Sequence, residues 1–405
     1  MLDRLVILGG STPFTAALID AFAAAEDIQP CNLVLHGRSR VRLQLMQRYS
    51  EALLVRKGWT VETQTILENA LVSATFVVHQ IRYGGLQLRQ RCEKLCASLG
   101  SRADETLGIA ALLTAIATRN SVQDTAKTIQ LVSPDAWLLN LTNPLSLVTA
   151  LMSEQLETRN CVGICELPQY TLTRIASILG VPHRDVQWNY QGLNHRGFIY
   201  QVKLQDEDLI ARFVDQFDGT HFDGVSLETI RSLHAIPLKY FRLVEDHSYF
   251  PPDRAQTLIK LRDQLAVELG DFDGVPLPSL AKRYTEWYPL AVVPLVRALQ
   301  NCEWEQHVVT HNSSAGLAIE GPVEVCRQGH RPIGQPPVSE PVAHWINRFE
   351  VHERNQLDAV RNPSKENILR ALQSDPVVST ENVELLATKL RDEIEITSGG
   401  LLDDQ

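Results

Sequence analysis

"RLVILGGSTPFTAALIDAFAAAE" (Arg4–Glu26) runs from an apolar stretch into two glycines, then Ser-Thr-Pro, then residues of helical period. A strand that turns sharply into a helix presents backbone N–H groups at the helix start, and such a turn can hold an anion such as a pyrophosphate. Gly9, Gly10, Ser11 and Thr12 are therefore candidate cofactor-binding residues. A G-x-G-x-x-G fingerprint would need glycine where this chain has Leu8, Gly10 and Pro13, so the turn alone also suits a βα connection with no ligand.

The pattern repeats outward from this stretch. "CNLVLHGRS" reads as a second buried strand and "RVRLQLMQRYSEALLVRKG" as an amphipathic helix. "ATFVVHQIRYGG" and "DAWLLNLTNP" read as further strands. Apolar runs alternating with helical periods predict an α/β fold, a Rossmann-like doubly wound parallel sheet with its ligand at the carboxyl ends of the strands. This first lobe is expected over 1–160. A C-terminal α+β lobe is expected over 161–398, with strands at "FIYQVKLQDEDLIARFV" and "HVVTHNSSAGLAIEGPVEV", a loop at "GQPPVSEP" and a frayed tail after Ser398.

Composition narrows the class. The chain has 405 residues and a formal net charge of −10, with no basic run interleaved with aromatics, so nucleic acid is not an expected partner. Apolar runs fall short of a membrane span, and no secretory leader is legible. Seven irregularly spaced cysteines fit reduced thiols, so a cytoplasmic enzyme is expected.

Several side chains could carry chemistry. The second strand ends at Gly37 where an acid would hold a ribose hydroxyl; Arg38 and Arg40 follow, and suit either a 2′-phosphate or solvent. Arg82, Arg89 and Arg91 lie near the "RYGG" loop, and Asp104, Glu105 and Thr106 open the next helix. They read as an anion clamp with an acid at the sheet edge, or as helix capping. Asn140 and Asn143 in "NLTNP" could bridge cofactor and substrate, or shape an Asx turn. Cys165 in "GICELP" and His195 in "GLNH" each follow a strand-like run. A thiolate and an imidazole suit a divalent transition metal, although single cysteines and histidines are more often packed residues.

The Gly-Gly-Ser turn, the "RxGG" loop, "DETLG", "PDAWLLNLTNP", "GICELP", "GLNH" and "IPLKY" occur in that order, followed by "NSSAGLAIEGPVEV" and "NILRALQSDPVV". In this the chain resembles glycoside hydrolase family 4, the NAD- and manganese-dependent 6-phospho-glucosidases, α-galactosidases and α-galacturonidases, over residues 3 to 390. The resemblance implies a Rossmann domain of lactate/malate dehydrogenase type joined to an α+β domain, NAD and a divalent metal such as Mn²⁺. It also implies cleavage of a glycoside, 6-phosphorylated or otherwise anionic: hydride leaves C3, a tyrosine takes the C2 proton, the glycosidic oxygen is eliminated and water adds.

Carried over residue by residue, Cys165 and His195 match the metal ligands and Asn143 the substrate-binding asparagine. Tyr240 matches the base, with Arg242 and Arg283 as candidate helpers and Tyr249, Tyr284 and Tyr288 as the next phenols in line. Arg89, Glu166, Asn194 and Arg283 are further expected substrate contacts, Glu105 a catalytic acid, and Asn140 and Arg38 cofactor contacts. Leu8, Gly37 and Glu166 depart from the family pattern, which admits NADP as cofactor. A homo-dimer or tetramer is expected. Two other classes are weighed: a sugar-phosphate or nucleotide sensor that has lost turnover, and a metal-free 2-hydroxy-acid dehydrogenase.

Overall fold

The computed structural model describes residues 2–398 apart from 102–103, 158–159, 247–252, 275, 380 and 382. The expected tail after Ser398 and Tyr249 lie outside the described residues.

Strands β1 (Asp3–Leu8), β2 (Cys31–His36), β3 (Thr60–Gln64), β4 (Phe76–His79), β5 (Trp137–Asn140) and β6 (Cys161–Gly163) are all parallel and lie in the order β6-β5-β4-β1-β2-β3. That is the doubly wound order, and its switch point falls between β1 and β4. Between the strands run α1 (Ala16–Ala24), α2 (Arg40–Leu54), α3 (Leu67–Leu71), α4 (Gly85–Ser98), α5 (Gly108–Val132) and α6 (Leu145–Ser153). Leu5, Val6, Ile7 and Leu8 are all fully buried, as a strand covered on both faces must be. Burying each such side chain is worth roughly 1.5–3 kcal/mol over leaving it exposed.

After α7 (Leu167–Ile178) the pairing turns antiparallel. β7 (Gln187–Leu193) and β8 (Arg196–Leu204) form a hairpin, extended by β9 (Glu207–Asp208). The expected strand through Val214 stops there. Asp208 accepts hydrogen bonds from the Ile210 and Ala211 N–H groups (2.8 and 3.2 Å) and starts α8 (Leu209–Gln216), which buries Leu209, Ile210, Phe213 and Val214. β10 (His221–Phe222) and β11 (Val225–Ser226) form a separate small hairpin; β12 (Ala235–Pro237) pairs with β8.

β13 (Glu305–Asn312) and β14 (Ala318–Cys326) form the expected hairpin, with β15 (Gly329–Pro332) on β14. This hairpin lies between the two halves: Thr310 pairs with Gly163 of β6, and Glu320 with Gly192 of β7. One sheet of thirteen strands results, and it does not end at residue 160. Val309, Val323 and Val325 share a core cluster with Leu5, Ile7 and Phe22 of the first lobe. Among the described residues no helix is long and apolar enough to cross a membrane.

Candidate active site at the sheet's carboxyl edge

The first turn is shaped by what surrounds it. Gly9 has φ +88°, and a Cβ there would lie 2.9 Å from the Gln80 carbonyl oxygen; one on Gly10 would lie 3.0 Å from the Ile7 oxygen and 3.1 Å from Leu35 Cα. The Gly10 N–H donates to the His36 carbonyl at 2.8 Å. The turn is thus pressed flush onto the ends of β1, β2 and β4, while Ser11 and Thr12 stay partly exposed. A glycine cradle of this kind fits a pyrophosphate. Beside it, the Tyr288 hydroxyl donates to Gln80 Oε1 (2.8 Å), and Gln80 Nε2 donates to Thr15 Oγ1 (2.9 Å).

Asn140 does not meet the cofactor expectation. It is fully buried; its Oδ1 pairs with His79 Nδ1 (2.9 Å) and accepts from Thr142 N–H (3.0 Å), and its Nδ2 donates to Thr149 Oγ1 (3.0 Å). Its amide is spent on shaping the turn that leads to the cis Asn143–Pro144 bond. Asn143 itself faces Glu105, donating to it at 3.5 Å.

The charges near Glu105 are also arranged differently from expectation. Glu105 is ion-paired to both Arg82 (2.7 Å) and Arg89. Burial pushes its pKa up, but the two guanidiniums outweigh burial and hold it well below the usual carboxylate range. A carboxyl so held is not a proton donor, which corrects the acid role. Arg89 is likewise occupied, by Glu105 and by Glu93 (2.9 Å), and buttresses the site rather than reaching into it. Asp104 holds the turn ahead of α5, accepting from the Thr106 and Leu107 N–H groups; α5 itself has no side-chain cap. Arg91 pairs with Glu393, away from this cluster.

Arg283 makes no ion pair among the described residues. Its guanidinium lies over the Phe14 ring at 3.9 Å and Trp287 at 5.5 Å, and burial, ahead of the repulsion from Arg82, pushes its pKa down to about 10.

Cys165 and His195 each relate to Tyr240: the imidazole stacks on its ring, and the charge of Cys165 acts on its hydroxyl. Cys165 follows β6, on the way into α7; His195 is the αL residue (φ +64°) of the β7–β8 turn. Both are 8% exposed. Burial, helped by Lys239 and Arg196, pushes the imidazole pKa down to about 3, so the ring is neutral. Its Nδ1 is buried without a hydrogen-bond partner. The Tyr240 ring stacks on it at 4.1 Å and 13°.

Burial pushes the Cys165 thiol well up, and Glu166 and Glu320 add to that; the Asn194 amide hydrogen-bonds its sulfur. Asn194 Nδ2 also donates to Glu320 Oε1 at 2.9 Å. Glu320, 2% exposed on β14, further accepts from Tyr190 and Thr310. This buried acid was not singled out in the sequence; its only signal there is that it is one of two acids, with Glu324, among the apolar residues of β14. A buried soft sulfur bonded by Asn194, and the next residue's neutral imidazole with an unpartnered buried nitrogen, are donor types that fit a divalent transition metal. No group of three His, Cys, Asp or Glu suited to an ion occurs among the described residues, so such an ion would draw its other ligands from substrate and water.

Glu166 is 8% exposed, and burial raises its pKa against the opposing effect of Lys239 and the Tyr284 hydroxyl. Burial raises Tyr240 too, and the charges of Asp104, Glu105, Cys165 and Glu166 add to it. The expected helper Arg242 is exposed and packs its stem against Gly224; Lys239, 5.5 Å from the ring centroid, is the cation beside Tyr240. Tyr288 is committed to Gln80 and Tyr284 to Glu166, so neither phenol is free to replace Tyr240.

The doubly wound sheet, with this site at its carboxyl edge, defines an α/β protein of the dehydrogenase fold. Malate dehydrogenase from Plasmodium falciparum superposes with a TM-score of 0.54 at 12% identity, covering 89% of this chain and 99% of that one. The chain belongs to the family 4 glycosyl hydrolases: the family's model matches residues 5–181 and its C-terminal-domain model residues 190–378. The 6-phospho-beta-glucosidase BglT of Thermotoga maritima is 24% identical over 396 residues, 92% of this chain and 94% of that protein. A solved structure of the Thermotoga maritima 6-phospho-beta glucosidase with manganese, NAD⁺ and glucose-6-phosphate has a TM-score of 0.83 at 23% identity, covering 97% and 98% of the two chains.

Proposed function

We propose that the protein hydrolyses a glycoside of a phosphorylated or otherwise anionic sugar by reversible oxidation at C3, elimination across C2 and C1, and addition of water. The reading is carried by Tyr240 stacked on a neutral His195, with the charge of Cys165 acting on the same phenol. When bound, a nicotinamide dinucleotide supplies a hydride acceptor and a divalent cation a Lewis acid. Cys165 and His195 would hold the cation, manganese as in the relative, and Gly9 to Thr12 the pyrophosphate.

The remaining work falls to side chains. Tyr240 Oη takes the C2 proton, which requires a nearby positive charge to offset the carboxylates that now raise its pKa. Glu166, whose carboxyl burial shifts toward the protonated form, is suited to deliver a proton to the departing glycosidic oxygen. Arg283, which has no anionic partner of its own, and Arg82 bind the sugar's anion; Glu105 and Arg89 hold Arg82 in position. Asn143 and Asn194 orient the sugar.

The test is hydrolysis in D₂O with NAD and Mn²⁺ of matched 6-phosphorylated and unphosphorylated α- and β-glucosides. Deuterium should appear at C2 of the released sugar, with the phosphorylated substrate preferred and EDTA abolishing turnover. Hydrolysis without deuterium at C2 would overturn the reading.

A further inference from the structure

We infer that the adenosine end of the dinucleotide site accepts a 2′-phosphate, so that this chain binds the 2′-phosphorylated dinucleotide, NADP, more tightly than NAD. The inference rests on the dinucleotide reading above and concerns only the edge formed by the ends of β2 and β3.

In a doubly wound sheet the residue just past β2 faces the adenosine ribose, and a carboxylate there holds the 2′- and 3′-hydroxyls and repels a phosphate. Here β2 ends at His36 and the next residue is Gly37. A Cβ built on Gly37 would lie 2.3 Å from Ser11 Oγ and 2.5 Å from Ser11 Cβ. The Ser11 side chain, from the first turn, therefore fills the volume an acid would need. The glycine is not a vacancy left by a small residue; the packing excludes a carboxylate from this place.

Cations stand where the acid is missing. Arg38 and Arg40 are exposed and make no ion pair among the described residues, whereas most arginines of the chain are paired. A cavity of about 180 Å³ opens beside Arg40, two residues past Arg38, lined by Arg40, Leu43, Gln44, Thr63, Gln64 and Thr65, with hydrogen-bonding side chains and no carboxylate. The acid whose charge reaches His36 is Glu68, exposed on α3. Two guanidiniums with planar donor forks, next to hydroxyl and amide groups, match the chemistry of a phosphate monoester.

The test is calorimetric titration of the purified full chain with NAD and with NADP, without metal or sugar, so that binding is read apart from turnover. NADP should bind more tightly, and its advantage should shrink as ionic strength rises. Arg38→Ala/Arg40→Ala should weaken NADP by roughly tenfold or more, as expected for losing charge-assisted bonds to phosphate, and leave NAD little changed. Adenosine 2′,5′-bisphosphate should displace the dinucleotide better than 5′-AMP in the parent, and equally in the double variant. Ser11→Gly/Gly37→Asp, which makes room for the acid, should bring NAD ahead. NAD binding more tightly than NADP in the parent would overturn this inference and leave the dinucleotide reading intact. Binding of neither would overturn both.

Discussion

At Tyr240 the surroundings favour a protonated phenol: burial comes first, then four negative or potentially negative neighbours, Asp104, Glu105, Cys165 and Glu166. The same neighbours would draw a dication to Cys165 and His195, and that charge would favour the phenolate. Tyr240→Phe keeps the ring that stacks on His195 and removes only the hydroxyl. It should slow exchange of the substrate's C2 proton with solvent by roughly 10²–10⁴-fold, with metal affinity nearly unchanged. Exchange at the parent rate would move the base elsewhere. Glu105 makes a separate, pH-dependent contribution. Its folded pKa is depressed below the unfolded value, so its stabilisation is present above about pH 4.3 and is lost as pH falls through the folded value. Glu105→Gln leaves Arg82 and Arg89 without their shared counter-charge and should cost about 3 kcal/mol at neutral pH. The deficit, read from denaturant unfolding, should narrow as pH is lowered from about 5 toward 2. A deficit constant across that range would mean the lost contact was packing, not charge.

At the scale of elements, β14 pairs with the hairpin that carries His195. Glu320 holds Asn194, and Asn194 touches the Cys165 sulfur one residue before His195. Glu320→Gln should keep the shape but exchange one acceptor for a donor. Outer-shell losses of this kind cost roughly 10–100-fold in metal affinity, readable by titrating the protein with Co²⁺ and following the thiolate absorption. Unchanged Co²⁺ affinity with an intact fold would show that the network only fills space. Strands β1, β2, β4 and β5 and the strand segment holding β13 and β14 were legible in the sequence because apolar runs bounded by turn residues report burial directly, whereas β3, a half-buried TVETQ, was not. The segment after Leu204 was not: its apolar residues alternate well enough for a strand, and only the Asp208 cap reveals the helix. Cys165, His195 and Tyr240 are singled out in the sequence by their motifs alone. The Asx turn at Asn140 and the Arg89–Glu93 pair are local, but the contacts of Asn140 with His79, of Arg89 with Glu105 and of Asn143 with Glu105, across 16 to 61 residues, leave no local trace.

At the scale of the molecule, the two family-matched segments share one sheet. β6 ends the parallel set with only three residues and finds its next neighbour in β13, about 145 residues later. The helix Val293–Gln300 and strands β13 and β14 supply Val293, Leu295, Val296, Val309, Val323 and Val325 to the core that covers β1 and α1. A fragment ending near residue 181 would therefore expose that side of the sheet and an unpaired strand edge. We expect the full chain to unfold in a single transition, with far- and near-ultraviolet circular dichroism coincident. Saturating dinucleotide, which we propose binds the first lobe, should raise the midpoint for the whole chain: at a hundredfold excess over Kd the gain is about 2.7 kcal/mol. The fragment 1–181 should be aggregated or lack fixed tertiary signals. Two separate transitions, with only the earlier-sequence half shifted by the dinucleotide, would mean that the β6–β13 junction does not couple the halves.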